Sequence, residues 1–208
     1  GLTMAVISNG TTLADAGAMS GLGSLTLIKT ITVSSGTSTV SFVDGTSSVV
    51  LDNTYPIYKF EFINIHASNN TTHFSFQANV AGGSGFDETI TSTYFRAFHG
   101  ENGVDTGLGY DGNRDLGQAT GFQELISGIG NDTDGNGNGE LFLFNPSSTT
   151  FVTHFMATTV TSYADEAARR MHVAGYINTT AAIDEIQFKQ SAGNIDSGII
   201  KLYGIKDS

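Results

Sequence analysis

The chain has 208 residues, 39% of them hydrophobic, with 14 Phe and 7 Tyr but no Trp; that length implies one domain with an extension, and its wealth of Gly, Ser, Thr and Asn favours strands and turns over helices. The absence of Cys excludes disulfides, thiolate nucleophiles and cysteine metal sites. Twenty acids against nine bases, a net charge of −11, argue against nucleic acid and anionic membranes as partners, no apolar run approaches the ~18 residues of a spanning helix, and no leader pattern opens the chain.

Residues 1–23, GLTMAVISNGTTLADAGAMSGLG, are small, polar and glycine-punctuated with no sustained period, and are read as an extended N-terminal arm. Strand signals follow. SLTLIKTITV (24–33) alternates, and STVSFV (38–43) follows a Ser-Gly turn, so the two read as a hairpin-like unit. YPIYKFEFINIHA (55–67) carries Tyr58, Phe60 and Phe62 on one face and then Ile63 and Ile65 on the other. That change of phase marks a β-bulge or a strand buried on both sides. HFSFQANV (73–80) alternates cleanly, and ETITSTYFRAF (88–98) is β-branched and aromatic. Residues 99–118 have no apolar period and read as a long surface loop. TGFQELISGI (120–129) is ambiguous between strand and short helix. ELFLFN (140–145) and TFVTHFMATTV (150–160) are strands; YADEAARR (163–170) is a hairpin tip with up to one helical turn, pairing Asp165 with Arg169 and Glu166 with Arg170 at i,i+4. MHVAGYIN, AIDEIQFKQ and GIIKLYGI complete eight to ten short strands. The expected fold is all-β: an antiparallel β-sandwich of jelly-roll type over 24–208, preceded by the arm.

No catalytic set stands out. His66, His73, His99, His154 and His172 make no metal-binding spacing. GGSGF (82–86) lacks the spacing of a nucleophile elbow. The acidic pairs Asp87-Glu88, Asp165-Glu166 and Asp184-Glu185 are neighbours, and neighbours on a strand face opposite sides. Tyr94, Tyr110, Tyr163 and Tyr176 are candidate stacking platforms for a sugar. In GNDTDGNGNGE (130–140), Asp132, Asp134, Asn136 and Gly137 match the first half of a calcium loop. The bidentate acid required at loop position 12 is replaced by Leu143, and Glu140 falls at position 9. Asp111, Asn113 and Asp115 repeat the alternation, interrupted by Arg114. A surface turn explains the same residues, because Gly and Asn tolerate positive φ and Asp caps turns. Both readings, a weak Ca2+ site and a plain connector, stay open at this point.

SLTLIKTITVSSGTSTVSFVDG, VVLDNTYPIYKFEFINIHAS, ELFLFNPSSTTFVTHF and AGYINTTAAIDEIQFKQSAGNIDSGIIKLYGIK resemble segments of small β-rich structural proteins of tailed bacteriophages, above all marine phages. The likeness runs from Ser24 to the C-terminus and is strongest in GNIDSGIIKLYGIK. It implies a non-enzymatic protein on the virion surface, a capsid decoration or tail-fibre module. It also implies a homo-oligomer, a trimer by analogy; the 1–23 arm, with too little apolar surface to fold alone, is expected to dock it onto major capsid or tail proteins. The edge attributed to GIIKLYGI supports oligomerisation, because an uncovered edge invites pairing. The alternative reading is a lectin-like tail adhesin that binds a host-surface glycan through loops at one end of the sandwich.

Overall fold

The computed structural model describes residues 25–206 in full and, before them, the backbone of three short strands, β1 (Val6–Ser8), β2 (Thr11–Asp15) and β3 (Ala18–Met19). These three pair antiparallel with one another, within the segment read as an arm.

The remaining strands are β4 (Leu25–Val33), β5 (Thr39–Val43), β6 (Ile57–Ala67), β7 (Thr72–Val80), β8 (Ile90–Gly100), β9 (Thr106–Tyr110), β10 (Gly117–Ala119), β11 (Gln123–Ile129), β12 (Gly137–Phe144), β13 (Thr153–Tyr163), β14 (Ala167–Ile177), β15 (Ile183–Gln190) and β16 (Ile195–Ile205). All their pairings are antiparallel, and no helix occurs among the described residues. Eight of them pair from the outside inwards: β4 with β16, β5 with β15, β6 with β12, β7 with β11. The chain therefore runs as one long folded ribbon. It rolls into two layers, β4-β16-β6-β12 and β5-β15-β7-β11, which is a jelly roll. Two insertions, β8–β10 and β13–β14, zip onto the first layer as β12-β13-β14-β8-β9, with β10 also on β8. A single bridge, Ile129 to Tyr163, joins β11 to β13 and nearly closes the two layers into a barrel.

The core lies between the layers because alternate residues of each strand point inward. Phe42, Phe74 and Phe188 come from the small layer and Phe60 and Phe62 from β6, all essentially inaccessible. Phe188 is the hub: its ring centroid lies 5.1 Å from Phe60, 5.3 Å from Phe62, 5.5 Å from Phe74 and 6.1 Å from Phe42. The change of phase in β6 is a bulge. Asn64 takes a φ of 51°, the register to β16 slips beside it, and both Phe62 and Ile65 are buried.

Several local expectations give way to the topology. β4 and β5 are not a hairpin; each crosses to a different layer and pairs with β16 and β15. GIIKLYGI is no edge, since β16 lies between β4 and β6. Residues 120–129 are strand throughout their buried part, and Gly128, at φ 69°, breaks the alternation that would have shown it. A Cβ there would lie 1.6 Å from Tyr163 Cε2, so this position accepts glycine alone. The 99–118 loop contains the β8–β9 hairpin and β10. In 163–170 the chain turns at Ala164–Glu166 and continues as β14, which sends Arg169 and Arg170 to opposite faces. Neither i,i+4 ion pair forms among the described residues, because strand geometry replaces the helical one.

Candidate functional site

Two regions stand out: the loops at one end of the roll, and the outward face of the inserted strands.

At the loop end, the 101–105, 130–136 and 164–166 connections meet. Glu101 N–H donates to Glu166 O at 2.8 Å, and Ala164 N–H to Gly128 O at 3.1 Å. The loop 130–136 is tied internally: Gly135 N–H donates to Asp132 O at 2.8 Å, Asn136 Nδ2 to Asp134 O at 3.0 Å, and Asn138 Nδ2 to Asn136 Oδ1 at 2.6 Å. Thr161 Oγ1 donates to Asn136 O at 2.9 Å, and Asp132 O lies 3.0 Å from His66 Nε2. Glu140 stands on β12, where Lys59 Nζ reaches its Oε2 at 2.9 Å, so it is not gathered with Asp132 and Asp134. In the second loop Asp111 lies between Arg96 at 3.2 Å and Arg114 at 3.3 Å. Asn113 N–H caps Asp111 Oδ1 at 3.4 Å, and Asp115 accepts from Tyr110 OH. Among the described residues no three His, Cys, Asp or Glu side chains converge as a metal site. Both stretches have the geometry of hydrogen-bonded connectors.

Sequence reasoning missed what stands behind these loops. Arg96, Arg114 and Arg169, three of the chain's four arginines, converge on the inward side of the insertion. Arg114 Nη1 donates to Glu124 Oε2 at 2.5 Å and lies 3.2–3.3 Å from both ring nitrogens of His73. His73 Nδ1 accepts the Gly128 N–H at 2.9 Å. Burial, with Arg114 and then Arg169 nearby, lowers the His73 pKa to about 4, so the ring is neutral; the Glu124 carboxylate 3.9 Å away does not reverse this, because its charge is already answered by Arg114. Burial also holds the Glu124 carboxyl above its ordinary range.

Arg169 differs from its neighbours. It is 9% exposed, and no carboxylate stands within ion-pairing distance of it among the described residues. Its guanidinium lies 3.4 Å over the Tyr163 ring and makes one long hydrogen bond, Nη1 to Ser127 Oγ at 3.4 Å. Its Nε is buried with no acceptor among the described residues. Burial first, then the charge of Arg96, lowers its pKa. Arg169 lines a cleft of about 320 Å3 together with Phe98, Tyr163, Asn102, Asp105 and Glu166. Of the four candidate tyrosines, Tyr94 is fully buried and Tyr163 is covered by Arg169. Tyr110 and Tyr176 stand on the outward face.

That outward face carries a cluster of exposed apolar side chains among Thr, His and Arg. Met156, Val160, Phe95, Leu108 and Tyr110 are between 42% and 79% exposed. Register places them side by side: Thr158, His172, Phe95 and Tyr110 form one row across four strands, and Val160, Arg170, Ala97 and Leu108 the next. His172 stacks on Phe95 with centroids 5.1 Å apart. In a chain with 20 acids, no Asp or Glu occupies an outward position on β13, β14 or β8. The basic groups there are Arg170, His99, His154 and His172, and carboxylates stand at the two edges of the face: Asp115, which accepts from Tyr110 OH, and Glu140 on β12, opposite Thr158.

No protein-family model, curated protein or solved structure matches the chain.

Proposed function

We propose that this chain is a non-enzymatic structural protein of a phage virion surface, a capsid decoration or fibre module, and that it self-associates through the outward face of β13-β14-β8-β9. The observation that carries this reading is the cluster of exposed apolar side chains on a face whose carboxylates, Asp115 and Glu140, stand only at its two edges. Contiguous exposed apolar surface on a soluble domain marks an interaction site, and aromatic residues, Met and Arg are the types enriched at interfaces. At a net charge of −11, two copies repel one another. The repulsion is least where carboxylates are fewest, which favours a second copy over any basic partner for this face. The resemblance to phage structural proteins, from Ser24 to the C-terminus, supplies the setting, and jelly rolls serve widely as capsid and lectin domains. The first 23 residues are proposed to dock the protein onto the major capsid or tail protein. A lectin-like adhesin is the second reading, favoured by the cleft at Arg169.

Sedimentation velocity tests the assembly reading on the wild type and on Leu108→Glu with Met156→Glu. A wild-type oligomer that the double variant dissolves into folded monomers, with an unchanged circular dichroism spectrum, is expected. A wild type that stays monomeric at high concentration, or a variant that associates equally well, overturns it.

A further inference from the structure

The geometry points to the cleft over Arg169 as a binding site for one acidic sugar residue, a hexuronate-type unit whose carboxylate meets the guanidinium. This gives the adhesin reading its ligand class and stands on the cleft alone, not on the assembly face.

The floor of the cleft calls for an anion. Taking a guanidinium out of water is costly unless an acceptor of opposite charge replaces the water. Arg169 has a ring beneath it and one long bond to Ser127, but no carboxylate partner among the described residues. A planar fork of donors is suited to a carboxylate, which it can bind through two parallel hydrogen bonds. The rim calls for donors. Asp105, Asp165 and Glu166 border the cleft, and ionised carboxylates only accept. Asn102 fixes the rim from below: its Oδ1 accepts the Val104 and Asp105 N–H groups at 2.9 and 3.0 Å, and its Nδ2 donates to Asp105 Oδ2 at 2.5 Å. The wall calls for an apolar edge, since Phe98 lines the same space.

One carboxylate at depth, several hydroxyl donors at the rim and a C–H face against an aromatic ring describe a sugar acid. The alternatives fit less well. A phosphate monoester brings nearly a second negative charge between three carboxylates, and a sulfate ester offers a tetrahedral array of oxygens where the planar fork matches the planar pair of a carboxylate. A neutral hexose leaves the guanidinium without its counter-charge. A free α-amino acid satisfies the floor and places its ammonium at the rim, but it brings no hydroxyls for the remaining acceptors. A volume of about 320 Å3 lies at the small end of ligand sites, appropriate to one sugar residue at the end of a glycan rather than a chain segment. Terminal recognition also suits an acidic protein, because a polyanionic chain laid across it would be repelled.

The test is titration of the full-length protein with sodium glucuronate, glucose and glycine, followed by ligand-observed saturation-transfer NMR and calorimetry. Glucuronate is expected to bind at least tenfold more tightly than glucose or glycine. Arg169→Lys, which keeps the charge and removes the fork, is expected to weaken it by tenfold or more, and Asp105→Asn severalfold. Arg169→Met is a second probe, and both Arg169 variants should sediment like the wild type. Equal affinity for glucose and glucuronate, no binding of either, or glucuronate binding unchanged in Arg169→Lys overturns the proposal. Binding of glycine alone overturns the sugar class. None of these outcomes bears on the oligomer, so failure here and failure of the assembly reading are separable.

Discussion

Phe188→Ala is the substitution that weighs most heavily on the jelly-roll core. Phe188 stands on β15 in the small layer and reaches across to Phe60 and Phe62 on β6 in the large one. It also stacks on Phe74 with the two rings 6° from parallel. Removing a fully buried phenyl ring costs about 3–5 kcal/mol through lost transfer energy and the cavity left behind. Aromatic pairs of this geometry contribute about 0.5–1.5 kcal/mol each beyond burial, which places Phe188 at the upper end of that range. For a domain of this size each kcal/mol lowers Tm by about 2–4 °C, so a fall of roughly 10–20 °C is expected. Thermal and urea unfolding followed by circular dichroism measure it. The control is Phe151→Ala, whose ring is 71% exposed and whose loss should stay within about 0.5 kcal/mol. A Phe188→Ala cost below about 1.5 kcal/mol would mean that the two layers do not share one core, and the strand order drawn here would be wrong.

Gly128→Ala should destabilise by more than about 2 kcal/mol in urea titration, since it combines a left-handed backbone position with a collision against Tyr163; a neutral effect would show that Tyr163 packs elsewhere. His73 is neutral in the fold, with its pKa down at about 4, and is protonated in the unfolded chain below about pH 6.5. Its contribution is therefore fully present above pH 6.5 and is lost as the pH falls towards 4, by at most about 3 kcal/mol. His73→Asn, whose Oδ1 can accept the Gly128 N–H, should flatten the pH dependence of stability across that window; an unchanged slope would refute the neutral assignment. Excess calcium and EDTA should give the same Tm for the wild type and for Asp132→Asn with Asp134→Asn, because loop 130–136 is already tied by its own hydrogen bonds and Glu140 is engaged by Lys59. A calcium-dependent rise of the kind expected for a ligand well above its Kd, about 2.7 kcal/mol at a hundredfold excess, would restore the metal reading.

The strands buried on one face were legible in the sequence because period-2 alternation survives wherever one side faces the core. Val40 and Phe42 against the exposed Thr39 and Ser41 are the plain case, and the phase change in β6 was legible as either a bulge or a doubly buried strand, of which the backbone at Asn64 decides for the bulge. Residues 120–129 were not, because Gln123 and Leu125–Ile129 are buried on both faces and Gly128 shifts the phase. Pairing was not legible either. Adjacent strands such as β4 and β5 look like a hairpin locally, and only the long-range partners β16 and β15 decide that they lie in different layers. The same holds for GIIKLYGI, which ends the chain yet sits inside its sheet. The arginine cluster had one signal: Arg96 falls in phase with the inward Tyr94 and Phe98. A charged residue on a core-facing phase is unusual enough to mark a polar site. Arg169 gave no such sign, because its acidic neighbours suggested a helical pairing that the turn at 164–166 prevents.

Whether this chain sits on a virion surface is decided by immunogold labelling of purified phage particles with an antibody against it. Dense, regular label on the outside of the capsid or along the tail is the result expected of a self-associating surface protein, and it should disappear from particles assembled with a chain lacking residues 1–23. Particles that carry no label while the protein stays in the soluble fraction of the lysate would rule out a virion surface protein.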